Sequence, residues 1–176
     1  REMTGAGVVD VKKALDEASG DETKAIDLLK KRGQAKALKK SDREAKEGII
    51  ASYIHSNARI GVIVKLLCET DFVARNEAFA SLGRDIAMHV AAMNPRVVSP
   101  DEVNASDIEK ERIVWQEQLL AEKKPEAIAK TILVGKEKKF REEAALLTQA
   151  FVKDPSKTVG DVVTEAVAKM GERIHI

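Results

Sequence analysis

Aromatic residues are scarce in this sequence, at 3% of 176 positions. A reader of single-stranded RNA stacks bases on aromatic platforms, so that class is disfavoured. Cysteine occurs once, as Cys68. No internal disulfide can form, which suits a reducing compartment. Charge of one sign is also missing: 30 Lys and Arg against 29 Asp and Glu leave a net charge of +1. No global field draws the chain toward nucleic acid or a membrane surface. No apolar run approaches the ~20 residues of a membrane span, and Arg1-Glu2-Met3 does not read as a secretory leader. The three histidines, His55, His89 and His175, lack the spacing of metal ligands. Neither a phosphate-binding glycine loop nor a dinucleotide fingerprint is present. The sequence thus offers no active site of its own, and neither cofactor nor metal is expected.

What is there reads as a soluble globular chain. Apolar residues make up 44% and charged residues 34%, enough for one or two small domains with a core. Thr4-Gly5-Ala6-Gly7 reads as a turn. Val8, Val11, Leu15 and Ala18 then share a helical face. Ser19-Gly20-Asp21 breaks that helix, with Asp21 as the next N-cap. Ala25, Ile26, Leu28 and Leu29 carry the second helix, and Gly33 suits the position just past its end. Residues 34–47 are basic but interleaved with acids: Lys36, Lys39, Lys40, Arg43 and Lys46 against Asp42, Glu44 and Glu47. Such a run is a solvated linker or exposed helix; the alternative is an arm, residues 30–46, that touches RNA phosphates.

Residues 49–55 and 60–67 are rich in β-branched side chains and flank a turn at 56–59, which predicts a hairpin. Phe79, Leu82, Ile86, Val90 and Met93 recur at helical spacing and predict a helix over 77–93, ending before Asn94-Pro95. Gly83 within it costs about 1 kcal/mol relative to Ala, so close packing is expected there. Beyond it, Ser99-Pro100-Asp101-Glu102 and Ser106-Asp107-Ile108-Glu109 fit capping boxes. Ile108, Trp115 and Leu119 mark one helix face, and Pro125 suits a first helical position. Gly135 is expected to end that helix, and Phe140, Ala144 and Leu147 to carry another. Residues 151–157 read as a loop with room for a short strand. Thr158-Val159-Gly160-Asp161 opens a last helix with Val159, Val162, Val163, Val167 and Met170 inward. The sequence starts without an initiator Met and stops at Arg173-Ile174-His175-Ile176, which alternates like an unfinished strand returning to the sheet, so the chain is expected to continue beyond both its ends.

Between the hairpin and the helix over 77–93 lies Cys68-Glu69-Thr70-Asp71-Phe72-Val73-Ala74-Arg75-Asn76, a strand-to-helix corner. Corners are usually small and polar. An aromatic here either packs underneath or stays exposed for something else to pack on. Cys68 at the strand end reads as a buried, inert thiol.

Residues 70–76 resemble the Thr-Asp-Phe-Val-Ala-Arg-Asn signature of the elongation factor Ts family at all seven positions. The resemblance extends, in order, to Thr4-Gly5-Ala6-Gly7, Arg43-Glu44-Ala45-Lys46-Glu47-Gly48, Ile108-Glu109-Lys110-Glu111 and Lys153-Asp154-Pro155-Ser156-Lys157-Thr158-Val159. It implies an α+β fold: an N-terminal three-helix bundle of the ubiquitin-associated (UBA-like) type, then an antiparallel sheet packed with helices. It implies three segments, a module over 1–33 that docks on the G domain of elongation factor Tu, a basic linker over 34–47, and a core and dimerisation domain over 48–176. It implies a guanine nucleotide exchange factor, not an enzyme, that binds elongation factor Tu in its GDP-bound or nucleotide-free state.

In that family the Asp-Phe pair inserts near the Mg²⁺-supporting region of the partner, here Asp71 and Phe72. Thr70 and Val73 would hold the corner. Val8, Val9, Ala74, Arg75 and Asn76 would serve partner binding, Arg75 and Asn76 by bracing the turn and capping the next helix. Family members often carry two methionines where this chain has Val8 and Val9. Longer members repeat the core unit and insert a coiled coil; short ones pair, so a homodimer is expected. The implied setting is the cytoplasm or an organellar matrix, with no membrane and no direct nucleic-acid partner. The competing readings are an RNA-associated ribosome accessory protein using residues 30–46 and, on fold analogy alone, a ubiquitin-type adaptor.

Overall fold

The computed structural model describes residues 6–176. Thr4 and Gly5 of the expected turn, and any helix before them, lie outside the described residues. The chain is α+β and divides into two compact units: residues through Ala92 with Gly160–Ile176, and Met93–Val159.

The first unit begins with α1 (Val8–Glu17) and α2 (Glu22–Leu38). Their small residues Ala14, Ala18 and Ala25 are buried together, flanked by Leu15, Leu28 and Leu29. Asp21 caps α2 by accepting from the Lys24 backbone N–H at 3.0 Å, as expected. Val8 is 62% exposed. One expectation fails here. Gly33 does not end α2, which runs on to Leu38. A Cβ on Gly33 would sit 3.7 Å from that of Ala168, so the glycine lies mid-helix where α2 meets the last helix.

β1 (Glu47–Ile54) and β2 (Gly61–Cys68) form the expected antiparallel hairpin, in register from Glu47↔Cys68 to Ile54↔Gly61. Alternation sends Ala51, Val64, Leu66 and Cys68 inward and leaves Ile50, Ile54 and Ile63 exposed on the other face. A short α3 (Asp71–Ala74) and then α4 (Glu77–Met93) follow. Phe79, Leu82, Ile86 and Ala87 of α4 are buried, while Met93, expected inward, is 46% exposed. Gly83 does mark close packing: a Cβ there would lie 2.8 Å from Ala51 Cβ and 3.3 Å from Ile49 Cδ1, so α4 touches β1 backbone-close. The unit closes with α7 (Val159–Met170), whose Val159 and Val167 are buried. Residues 173–176 return to the sheet as expected: the Leu67 N–H donates to His175 O at 2.7 Å, and the His175 N–H donates back at 3.0 Å.

The second unit is mostly a helical hairpin, α5 (Ala105–Ala121) and α6 (Glu126–Ala144). Val103, Ile108 and Ala144 form its buried cluster with Val97 and Phe140, and Trp115 meets Phe140 edge-on at 5.9 Å between ring centres. Asn104, not Ser106, caps α5, accepting from the Ser106 N–H at 2.9 Å. Ser99 makes no side-chain cap; instead Glu102 accepts from the Val98 N–H at 3.1 Å. Pro125 precedes α6 rather than opening it, and α6 runs through Gly135 to Ala144 as one helix. No neighbour crowds Gly135, and four i,i+4 ion pairs line the helix: Glu126–Lys130, Glu137–Arg141, Lys138–Glu142 and Lys139–Glu143. At roughly 0.2–0.5 kcal/mol each, they offset the glycine's cost of about 1 kcal/mol. The stretch over 151–157, read as a loop with room for a short strand, holds a small hairpin, β3 (Ala150–Phe151) with β4 (Asp154–Thr158). Pro155 fits because β4 is an edge strand.

Candidate functional site

The corner after β2 is built from its residue types. Thr70, in extended backbone at φ −128° and ψ 154°, caps α3, its Oγ1 accepting from the Val73 N–H at 3.4 Å. Val73 turns inward and is buried. Helical geometry then sends the preceding side chain outward, and Phe72 is 86% exposed. Large apolar side chains are usually buried, each worth ~1.5–3 kcal/mol when they are. Here that free energy is left unused within the chain, available to a partner. Asp71 and Arg75 pair across one helical turn at 3.1 Å, both largely exposed. Asn76 Oδ1 accepts from the Ala78 N–H at 2.8 Å and so starts α4. Ala74 is half-buried. The structure thus places residues 70–76 on one braced corner with the ring outermost.

Val8 and Val9 lie elsewhere, at the start of α1, 62% and 66% exposed. Val8, Val11 and Leu15 line a shallow apolar depression with Lys12 and Asp16. Val8 and Val9 are not among the residues of the helical core, which is built from Ala14, Ala18 and Ala25 with Leu15, Leu28 and Leu29 against them.

Of the groups around the corner, Cys68 lies where the sequence puts a buried thiol, whereas Glu172 carries no local sequence signal. Cys68 is fully buried beneath it, and its thiol donates to Thr70 O at 3.2 Å. Burial, chiefly, pushes that thiol's pKa up, so it stays protonated. Glu172, more than a hundred positions away in sequence, lays its carboxylate against the corner. Oε2 accepts from the Glu69 and Thr70 N–H groups at 3.1 and 3.0 Å, and Oε1 from Thr70 Oγ1 at 2.6 Å. Glu69 reaches the opposite way. Its Oε1 accepts from the Arg173 N–H at 2.6 Å and its Oε2 pairs with Arg43 Nη1 at 3.3 Å.

The hydrogen bond from Arg173, then Arg43, holds the Glu69 carboxyl below its ordinary value of 4.5. The unfolded chain therefore takes up this proton at higher pH than the folded one. The stability Glu69 contributes is whole above the ordinary value and is lost as pH falls through the folded value. Between about pH 5 and about pH 3 the melting temperature should fall more steeply for the wild type than for Glu69→Gln. Parallel curves would show that the contact carries no such linkage.

Among the described residues, no group of three or more His, Cys, Asp or Glu side chains is placed to hold a metal ion. Nor is any described helix long and apolar enough to cross a membrane. The corner is held from two sides and leaves the Phe72 ring on the surface. The chain belongs to the elongation factor Ts family: the family model described as "Elongation factor TS" matches residues 12–176. Over all 176 residues it is 54% identical to "Elongation factor Ts" of Thermosipho melanesiensis, covering 90% of that protein. It is 51% identical to the proteins of that name from Oleidesulfovibrio alaskensis and Fervidobacterium nodosum, covering 89% of each.

Proposed function

We propose that this chain is a guanine nucleotide exchange factor for elongation factor Tu and that Phe72 is its wedge. The observation that carries this reading is the 86% exposure of Phe72 on a corner whose backbone is fixed by Thr70, Val73 and Asn76. A G protein holds GDP largely through Mg²⁺ and a phosphate-cradling loop, and Mg²⁺ tolerates little departure from octahedral geometry. A ring pressed into the region supporting that ion displaces it slightly and weakens the nucleotide. Asp71 positions the ring or competes locally for the magnesium shell.

Magnitudes require a wider contact. Raising GDP release by three to four decades takes about 4–5.5 kcal/mol, while burying one Phe supplies ~1.5–3. Val8 and Val9 on the N-terminal module supply apolar area of the right kind. The basic stretch itself does not favour an RNA arm. Lys36 pairs with Asp10 at 2.9 Å, Arg43 with Glu69, Lys46 with Glu44 at 2.8 Å, and Lys40 donates to Gly171 O.

Linkage tests the reading. If the chain weakens GDP on its partner, GDP weakens the chain by the same factor. Titrations against nucleotide-free and GDP-loaded elongation factor Tu should differ in dissociation constant by the factor by which saturating chain weakens GDP. Equal constants would end it.

The exposed apolar face of the hairpin, Ile50, Ile54 and Ile63, also supports pairing of two copies through this side of the sheet. Sedimentation at micromolar concentration is expected to show a dimer. A monomer alone would contradict the pairing. The fitting location is the cytoplasm or an organellar matrix, where translation runs.

A further inference from the structure

Resting on the exchange reading above, we propose that Glu172 is a positioning residue for Phe72, and that the segment after α7 is a strap holding the wedge in its working geometry. α7 ends at Met170, and Gly171 just after it has a left-handed φ of 79° that turns the chain back toward the corner. Four residues of the strap, Gly171, Glu172, Arg173 and His175, are then held by hydrogen bonds. Lys40 donates to Gly171 O. The Glu172 carboxylate takes the Glu69 and Thr70 N–H groups and the Thr70 hydroxyl. The Arg173 N–H goes to Glu69, and its guanidinium to Arg43 O. His175 makes a two-bond bridge to Leu67.

The Glu172 contacts matter most for the ring. Thr70 is the cap of α3, and two residues later comes Phe72. One carboxylate fixes the backbone that enters the cap and the hydroxyl that makes it. Thr70 Oγ1 donates to Glu172 and accepts from Val73, so the carboxylate sets which way the cap hydroxyl points. A four-residue helix has too few internal bonds to hold itself, since nucleation is costly. Its orientation is therefore borrowed from this tertiary clamp. Wedge action needs a ring that does not yield when pressed, so the clamp's worth should appear in the exchange step more than in binding.

Glu172→Ala is the test, read in three ways on one preparation. First, stopped-flow release of fluorescent GDP from elongation factor Tu should reach a maximal rate about tenfold below wild type, because hydrogen bonds to a charged group are lost. The concentration giving half that rate should move less than about threefold. Second, iodoacetamide should alkylate Cys68 faster, because the thiol is covered by the corner the clamp holds shut. Third, in a Phe72→Ala background the same change should lower the rate no further, since Glu172 acts through the ring. Glu172→Gln keeps an oxygen for the two backbone N–H groups and an NH₂ for the hydroxyl, and should restore most of the rate. Should Glu172→Ala not fold, Glu172→Asp withdraws the carboxylate by one methylene and carries the same expectations at smaller amplitude.

A wild-type maximal rate in Glu172→Ala overturns the proposal. So does an equal loss with and without Phe72, which would mark a general structural role. If Phe72→Ala itself exchanges at the wild-type rate, the wedge reading fails. Cys68 alkylation then still shows whether Glu172 holds the corner.

Discussion

Phe72→Ala is expected to slow GDP release from elongation factor Tu by about one to two decades, from ~1.5–3 kcal/mol of lost burial at 1.4 per decade. The protein's own melting temperature should barely move. A ring 86% exposed contributes little to the fold, and surface changes of ±0.5 kcal/mol shift melting by about 1–2 °C in a chain of this size. Removing a core aromatic would instead cost ~3–5 kcal/mol. Measuring melting and release on one preparation separates the two outcomes. Asp71→Ala should cost less in rate, because its exposed pair with Arg75 is worth only ~0.2–1 kcal/mol. Normal release per folded molecule of Phe72→Ala would remove the ring from the mechanism.

The largest stability effect is expected at Gly48. Its φ of 155° is one that side-chain-bearing residues rarely adopt, and a Cβ there would stand 2.1 Å from Leu66 O and 2.9 Å from Leu67 Cα. Both obstacles are backbone of the paired strand, Gly48 lying opposite Leu67. Nothing can swing aside; the strands must part just before the corner. Strain of ~1–3 kcal/mol and overpacking of ~1–3 kcal/mol place Gly48→Ala about 2–6 kcal/mol down. At ~2–4 °C per kcal/mol its melting temperature should drop by about 4–24 °C. Gly135→Ala is the control: it sits in open space within α6 and should gain ~0.4–1 kcal/mol. A Gly48→Ala protein that melts with the wild type would contradict the strand register.

The contrast between these glycines explains much of what the sequence could and could not convey. Alternation over 49–55 and 60–67, the helical period over 77–93 and the Asp21 cap are local patterns, and each reappears as an element. Gly33 and Gly135 were read as helix ends because glycine is costly in a helix. Packing against Ala168 and a run of ion pairs carried the helices through them. Asn104 rather than Ser106 caps α5, and both side-chain types can accept from a helix N–H, so residue type alone does not separate them.

At the site, the letters of residues 70–76 are legible and the resemblance they carry implies an exposed Phe72, whereas the residue types alone leave its burial open. Burial is the default for a large apolar residue, and only the capped turn with Val73 inward sends its neighbour out. Glu172 was invisible for a different reason. Its partners lie at 69 and 70, and no local period or spacing links positions that the fold alone brings together.

Release of fluorescent GDP from elongation factor Tu, followed against increasing concentration of this chain, tests the exchange reading most directly. The rate should rise to a plateau roughly three to four decades above spontaneous release, matching about 4–5.5 kcal/mol of differential binding. Binding that saturates while GDP leaves at its spontaneous rate would contradict it.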